Sequence, residues 1–195
     1  MTRFLMLLSW VSLALIATGC AHPISLSPNL ANVQAPAGTK LERKIGLIVT
    51  AEDRQREVNS PGGGGDKLSY FPYRDLEVGI YHALSQSFAD VSKISGPSDP
   101  LVKSENLNYI VKPSIATTSW SQSLVTWPPT LFTVELSGAV LDPQGQPVTE
   151  IRVQGEGRAE FDEFKSDFSL AARRASEDAL KKLVKALSDS GNKLR

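Results

Sequence analysis

The sequence predicts an α+β fold: a mainly antiparallel sheet of about four to five strands with two helices packed on one face. Three observations predict it. Near the C-terminus Phe168, Ala172, Ala175, Ala179, Leu183 and Ala186 recur on one helical stripe, widened by Leu180 and Leu187. Residues 132–141 and 148–161 alternate apolar and polar side chains around a turn-forming Asp142-Pro143-Gln144-Gly145-Gln146-Pro147 segment. Finally, a continuous apolar run at 45–50 precedes a second stretch of helical periodicity at 72–88.

Taken in order, the mature chain opens with a stretch rich in proline, residues 21–44, that lacks periodicity and reads as a flexible tether. The 45–50 run has strand length and no polar face, as a strand buried on both faces requires. Gly62, Gly63, Gly64 and Gly65 then form a loop, since four glycines in a row do not hold a regular element cheaply. Leu76, Ile80, Ala83, Leu84 and Phe88 make the first amphipathic helix, with Pro72 suited to its first turn. A short strand over 90–95 ends at Gly96-Pro97-Ser98-Asp99-Pro100. Residues 109–119 read as a strand, in which Pro113 removes a ladder donor and demands an edge or a bulge. In the hairpin that follows, Phe132, Val134, Leu136, Val140, Ile151, Val153, Ala159 and Phe161 face inward, and Arg152, Gln154, Glu156 and Arg158 face water. Ser166 or Asp167 caps the last helix, whose pairs Glu177–Lys181 and Asp178–Lys182 are spaced for mutual support. Its alanine stripe implies close approach to the sheet.

The N-terminus carries the strongest functional signal. Arg3, an apolar run over 4–16 and the small residues Ala17-Thr18-Gly19 before Cys20 form a secretory signal. The run is shorter than the roughly 20 apolar residues that span a bilayer. The layout is therefore a signal peptide at 1–19, a lipidated Cys20 with its tether at 20–44, one domain at 45–191 and a tail at 192–195. Cys20 is the only cysteine of 195 residues, so the folded part has neither an internal disulfide nor a thiolate metal cluster. Removing Arg3 from 21 basic residues leaves 20 against 21 acidic ones, a net charge of −1 that calls for no nucleic acid.

Ala17-Thr18-Gly19-Cys20 resembles the bacterial lipobox, with Ala17 where leucine is commonest, and the resemblance implies acylation of Cys20, palmitate included. Ala21 in the following position implies delivery to the outer membrane of a two-membrane cell, with the domain facing the periplasm. The run Cys20-Ala21-His22-Pro23-Ile24-Ser25-Leu26-Ser27-Pro28 is similar to the mature start of the YajG-like lipoproteins. Pro61 to Tyr73, Thr126-Trp127-Pro128-Pro129 and Gly155-Glu156-Gly157-Arg158 look like a group of uncharacterised proteobacterial lipoproteins. This resemblance carries location, not a reaction or a ligand.

No catalytic residue, metal ligand set or cofactor is expected. The glycine loop lacks the Gly-Lys-Ser/Thr of a phosphate loop, because Asp66 intervenes before Lys67. His82 has no serine elbow near it in sequence. Glu156 and Glu160 share a face with Arg152 and Arg158, which reads as a balanced solvated surface rather than a glycosidase pair. Asp162 and Glu163 are a weaker candidate for a polar contact or a cation. The candidate partner contact is aromatic: Trp120, Trp127, Pro128, Pro129 and Phe132, with Tyr70 and Tyr73 posing the same choice between contact surface and cap of the core. These readings describe a non-enzymatic envelope accessory protein that contacts a protein partner in assembly or transport. The alternative is a binding module for a lipid, glycan or cell-wall fragment held between sheet and helices, against which a fully packed core would count.

Overall fold

The α+β architecture is present, on a six-stranded sheet, slightly larger than expected, in which three antiparallel ladders are joined by two parallel ones. The structure, a computed structural model, describes residues 21–61, 67–121 and 130–194. Its larger sheet contains β2 (Leu41–Leu47), β5 (Phe88–Lys93), β6 (Tyr109–Val111), β7 (Ser114–Trp120), β8 (Leu131–Leu141) and β9 (Pro147–Arg158). A smaller sheet has the order β1 (Ala21–Pro23), β4 (Lys67–Tyr70), β3 (Val58–Pro61). The helices are α1 (Ala51–Gln55), α2 (Pro72–Ser87), α3 (Pro100–Ser104), α4 (Phe161–Ser166) and α5 (Leu170–Asp189).

Connection length explains the mixed sheet. The chain returns from β2 to β5 through α2, and a crossover helix delivers a parallel strand. β2 thus pairs in parallel with β5, Ile45 opposite Val91, and with β6, Ile45 opposite Tyr109. The second half is antiparallel, with β8 between β9 (Leu136 opposite Val153) and β7 (Leu136 opposite Ile115). β6 also pairs with β8, so β6 and β7 follow one another along the same flank. Lys112 and Pro113 separate them, which is the interruption expected where proline cannot donate.

Helices α2 and α5 cover one face. Ile80, Leu84, Leu183 and Leu187 meet Ile45, Leu136, Val140 and Ile151 around a residual apolar cavity of about 40 Å³. Helix α5 approaches β9 as closely as the alanine stripe implies. A Cβ on Gly155 would stand 2.2 Å from the Ala175 carbonyl oxygen, and one on Gly157 2.0 Å from that of Ala171. The same helix covers the outer edge of β9. Asp178 accepts the Glu156 N–H at 2.9 Å, while Lys182 and Arg174 donate to the carbonyls of Gln154 and Arg158 at 2.9 and 2.7 Å.

Several sequence expectations are corrected. Residues 21–44 do not form a free tether. β1 pairs with β4, Ile24, Leu26 and Val33 are buried in the main core, and Leu41 already belongs to β2. Polar contacts hold this strap to the helices: the Leu26 N–H donates to Asp75 at 3.0 Å, and His82 Nε2 lies 2.8 Å from the Val33 carbonyl. His82 is thus a half-buried clasp between α2 and the strap. The tail also packs, since Leu194 is fully buried. Phe161 and Phe168 do not face inward. The chain breaks after α4, where the Asp167 carboxylate takes the Ser169 N–H, so α5 starts at Leu170 and both phenylalanines reach the surface.

Candidate functional site

The densest polar cluster was not foreseen, because its members are far apart in the chain. It lies at the carboxyl ends of β2, β5 and β6, where α/β sheets open their ligand crevices. Thr50 caps α1 in a capping box with Asp53: its hydroxyl accepts the Asp53 N–H at 3.1 Å and donates to the carboxylate at 2.9 Å. Thr50-Ala51-Glu52-Asp53 is a Thr-x-x-Asp signature, the one part of the cluster readable in advance. Asp53 is buried, with Arg56 at 3.3 Å and Lys112 at 3.5 Å. Burial pushes its carboxyl upward, but the Thr50 hydrogen bonds and Lys112 outweigh this and hold it below the usual range. Glu77, buried on α2, receives Arg54 in two bonds of 2.6 and 2.9 Å and Lys93 at 2.8 Å. The Arg54 hydrogen bonds hold its carboxyl down to about 2, against burial and with help from Lys93.

An open cleft of about 450 Å³ lies over this cluster, lined by Thr50, Glu52, Arg54, Glu77, Lys93 and Ser95 among others. Its two buried carboxylates stay ionised and are already engaged by cations. Neither has a raised pKa or a free proton with which to serve as a general acid near neutral pH. The arrangement fastens α1 and α2 to the ends of the parallel strands. Three of the acids at 156–163 are likewise committed. Glu163 binds Arg174 through two bonds of 2.9 Å, Glu160 pairs with Arg158 at 3.1 Å and Asp162 with Lys165 at 3.0 Å. Among the described residues no group of three or more His, Cys, Asp or Glu is placed to hold a metal ion.

The aromatic candidates divide. Tyr70, Tyr73 and Phe132 are buried and belong to the core, not to a contact surface. The Tyr70 ring meets Phe132 edge-on at 5.5 Å and its hydroxyl lies 2.9 Å from that of Thr117. The Tyr73 hydroxyl accepts the Ile115 N–H at 3.2 Å. Both tyrosines therefore place a hydroxyl on a polar partner within an apolar setting, the usual condition for burying one. Trp120 is the exception, 53% exposed at the end of β7. Trp127, Pro128, Pro129, the glycines 62–65 and Cys20 lie outside the described residues.

Trp120 has particular neighbours. It pairs with Leu131, which pairs with Arg158, so the open end of the β7–β8–β9 sheet gathers Trp120, Arg158 and the start of α4. The Ser119 hydroxyl bonds that of Ser60, next to Pro61, and Pro61 and Ala21 both pair with Lys67. The His22 ring approaches Phe168 at 6.1 Å. The point where the chain enters the domain and the exposed aromatics thus share one end of the molecule.

No family model matches the sequence, and no curated protein matches it. Among solved structures, a Xanthomonas campestris protein of the family DUF330 is similar with a TM-score of 0.50 at 13% identity, covering 91% of this chain and 100% of that one. A minor lipoprotein from Acinetobacter baumannii has a TM-score of 0.43 at 13% identity, covering 76% of this chain and 94% of that one. At such identity the first likeness speaks for the fold alone, and the second carries no further weight. Among the described residues no helix is long and apolar enough to cross a membrane.

Proposed function

We propose that this chain is a lipid-anchored accessory protein of the cell envelope, held on the outer membrane through Cys20 with its domain in the periplasm. It acts by contacting a protein partner rather than by catalysis. The observation that carries this reading is Ala17-Thr18-Gly19-Cys20, with the sole cysteine at the cut site behind a signal-length apolar run. The motif similar to the YajG-like lipoproteins, Cys20 to Pro28, supports the same location. The committed carboxylates of the cleft favour a non-enzymatic role, and the 40 Å³ cavity is far smaller than the roughly 300 Å³ and upward of ligand pockets. That size disfavours a lipid or glycan held between sheet and helices. The helix-free face of β7, β8 and β9, with Thr118, Glu135 and Arg152, offers a polar surface for a partner.

Radiolabelled palmitate fed to cells should mark the full chain, and Cys20→Ser should abolish the label and release the protein from the membrane fraction. Labelling that survives Cys20→Ser would sink the anchoring claim. Photo-crosslinking from Thr118 in living cells should capture a discrete protein adduct, and its absence there and at Glu135 would remove this face as the partner surface.

A further inference from the structure

We infer that the end of the domain bearing Trp120, Phe161 and Phe168 is a membrane-seating surface, which rests against the interfacial layer of the bilayer that Cys20 is anchored in. The inference rests on the proposed acylation of Cys20. Ala21, one residue later, is already paired as β1 with Lys67, and one residue spans at most about 3.6 Å. Without the slack of a tether, this end is brought to the lipid headgroups.

The chemistry of that end fits the position. Trp120, Phe161 and Phe168 are 53%, 49% and 40% exposed, and they account for three of the five large apolar side chains exposed among the described residues. Phe168 also packs on Phe164, with ring centroids 4.9 Å apart, so it is held in place while partly exposed. Lys165 lies over the Phe161 ring with its ammonium 4.7 Å from the centroid. Aromatic rings with cations beside them are the side chains that settle at the boundary between headgroups and acyl chains. Lys67, Arg158 and Lys165 are balanced there by Glu160, Asp162 and Glu163, so the contact is apolar and aromatic rather than an attraction to anionic lipid. One acyl-chain anchor plus such a face makes a two-point attachment that fixes orientation as well as location.

The test uses the full acylated protein reconstituted in phosphatidylethanolamine–phosphatidylglycerol vesicles, with and without brominated acyl chains. The variant Trp127→Phe leaves Trp120 as the one tryptophan after signal removal. A second chain, Trp120→Phe, Trp127→Phe and Gln144→Trp, reports from the turn at the opposite end of the β8–β9 hairpin. Flotation with the vesicles reads anchoring, and quenching reads seating. The expected result is emission from Trp120 that falls about twofold or more on brominated lipid, unchanged by salt, with little quenching at position 144. Inserting a flexible glycine–serine stretch between Cys20 and Ala21, together with Trp120→Ser, Phe161→Ser and Phe168→Ser, should leave flotation intact while trypsin cleaves faster at Lys67 and Lys165. Vesicle-bound protein whose Trp120 is no more quenched than Trp at position 144 overturns the inference. So does Trp120 protection that appears only when envelope proteins are added, which would make this end a protein contact. Failure to float strikes the acylation reading itself and is told apart by that readout.

Discussion

Gly155 and Gly157 set the distance between α5 and β9, and no other side chain fits there. A methyl group at Gly155 meets backbone on two sides, the Ala175 carbonyl and the Ala179 amide, each at 2.2 Å, so neither can rotate away. Gly155→Ala should destabilise the protein by about 1–3 kcal/mol or more, read as a lower urea midpoint at unchanged slope. An unchanged midpoint would mean that the helix shifts freely on the strand. Glu77 makes a second single-residue claim. Its folded pKa of about 2 lies below its ordinary 4.5, so its contribution to stability is complete above pH 4.5 and disappears as the pH falls toward 2. Glu77→Gln should cost roughly 1–3 kcal/mol at neutral pH, moderated because Arg54 and Lys93 reach solvent, and should flatten the stability profile between those pH values. Glu163 is also held to about 2, chiefly by Arg174, but it is exposed, so part of the acid slope will survive in that variant.

Two elements owe their role to what they cover. The 21–44 strap inserts Leu26 completely into the core, so Leu26→Ala should cost about 2–5 kcal/mol in urea unfolding, whereas truncating a residue of a free tether would cost nothing. Helix α5 closes the outer edge of β9 through Arg174, Asp178 and Lys182. An uncovered edge strand is a template for another chain. The combined change of Asp178→Ala, Lys182→Ala and Arg174→Ala should therefore raise concentration-dependent association in light scattering above that of the native chain. The strap was hard to read in sequence because three prolines, two serines and no periodicity describe a linker and an extended strap equally well. Its anchors, Ile24, Leu26 and Val33, are single apolar residues whose backbone bonds to Ser69, Asp75 and His82 reach partners more than 40 residues away.

At the scale of the whole molecule, the acylation proposed at Cys20 would act as a hinge rather than a leash, because Ala21 is already paired in β1. Under that acylation the end bearing Trp120, Phe161 and Phe168 is held at the bilayer, and the turn at 142–147 lies at the far end of the β8–β9 hairpin. The packed layer between sheet and helices is also a whole-molecule property. A fluorescent fatty acid should show no saturable binding to the domain; saturable binding abolished by Val140→Phe, which fills the 40 Å³ cavity, would restore the ligand-carrier reading.

The sequence by itself determined the elements whose signal is periodic and local: the alternation of β8 and β9, the long helices α2 and α5, and the close helix–sheet approach. Burial on one face writes these into consecutive residues. Only the tertiary structure decided the rest. Parallel pairing of β2 depends on a crossover. The fate of Tyr70, Tyr73 and Phe132 as core, with Trp120 left outside, depends on partners such as Thr117 and Ile115 across the fold. The joining of Ala21, Trp120, Phe161 and Phe168 at one end unites segments up to 147 residues apart, a proximity that no local pattern encodes.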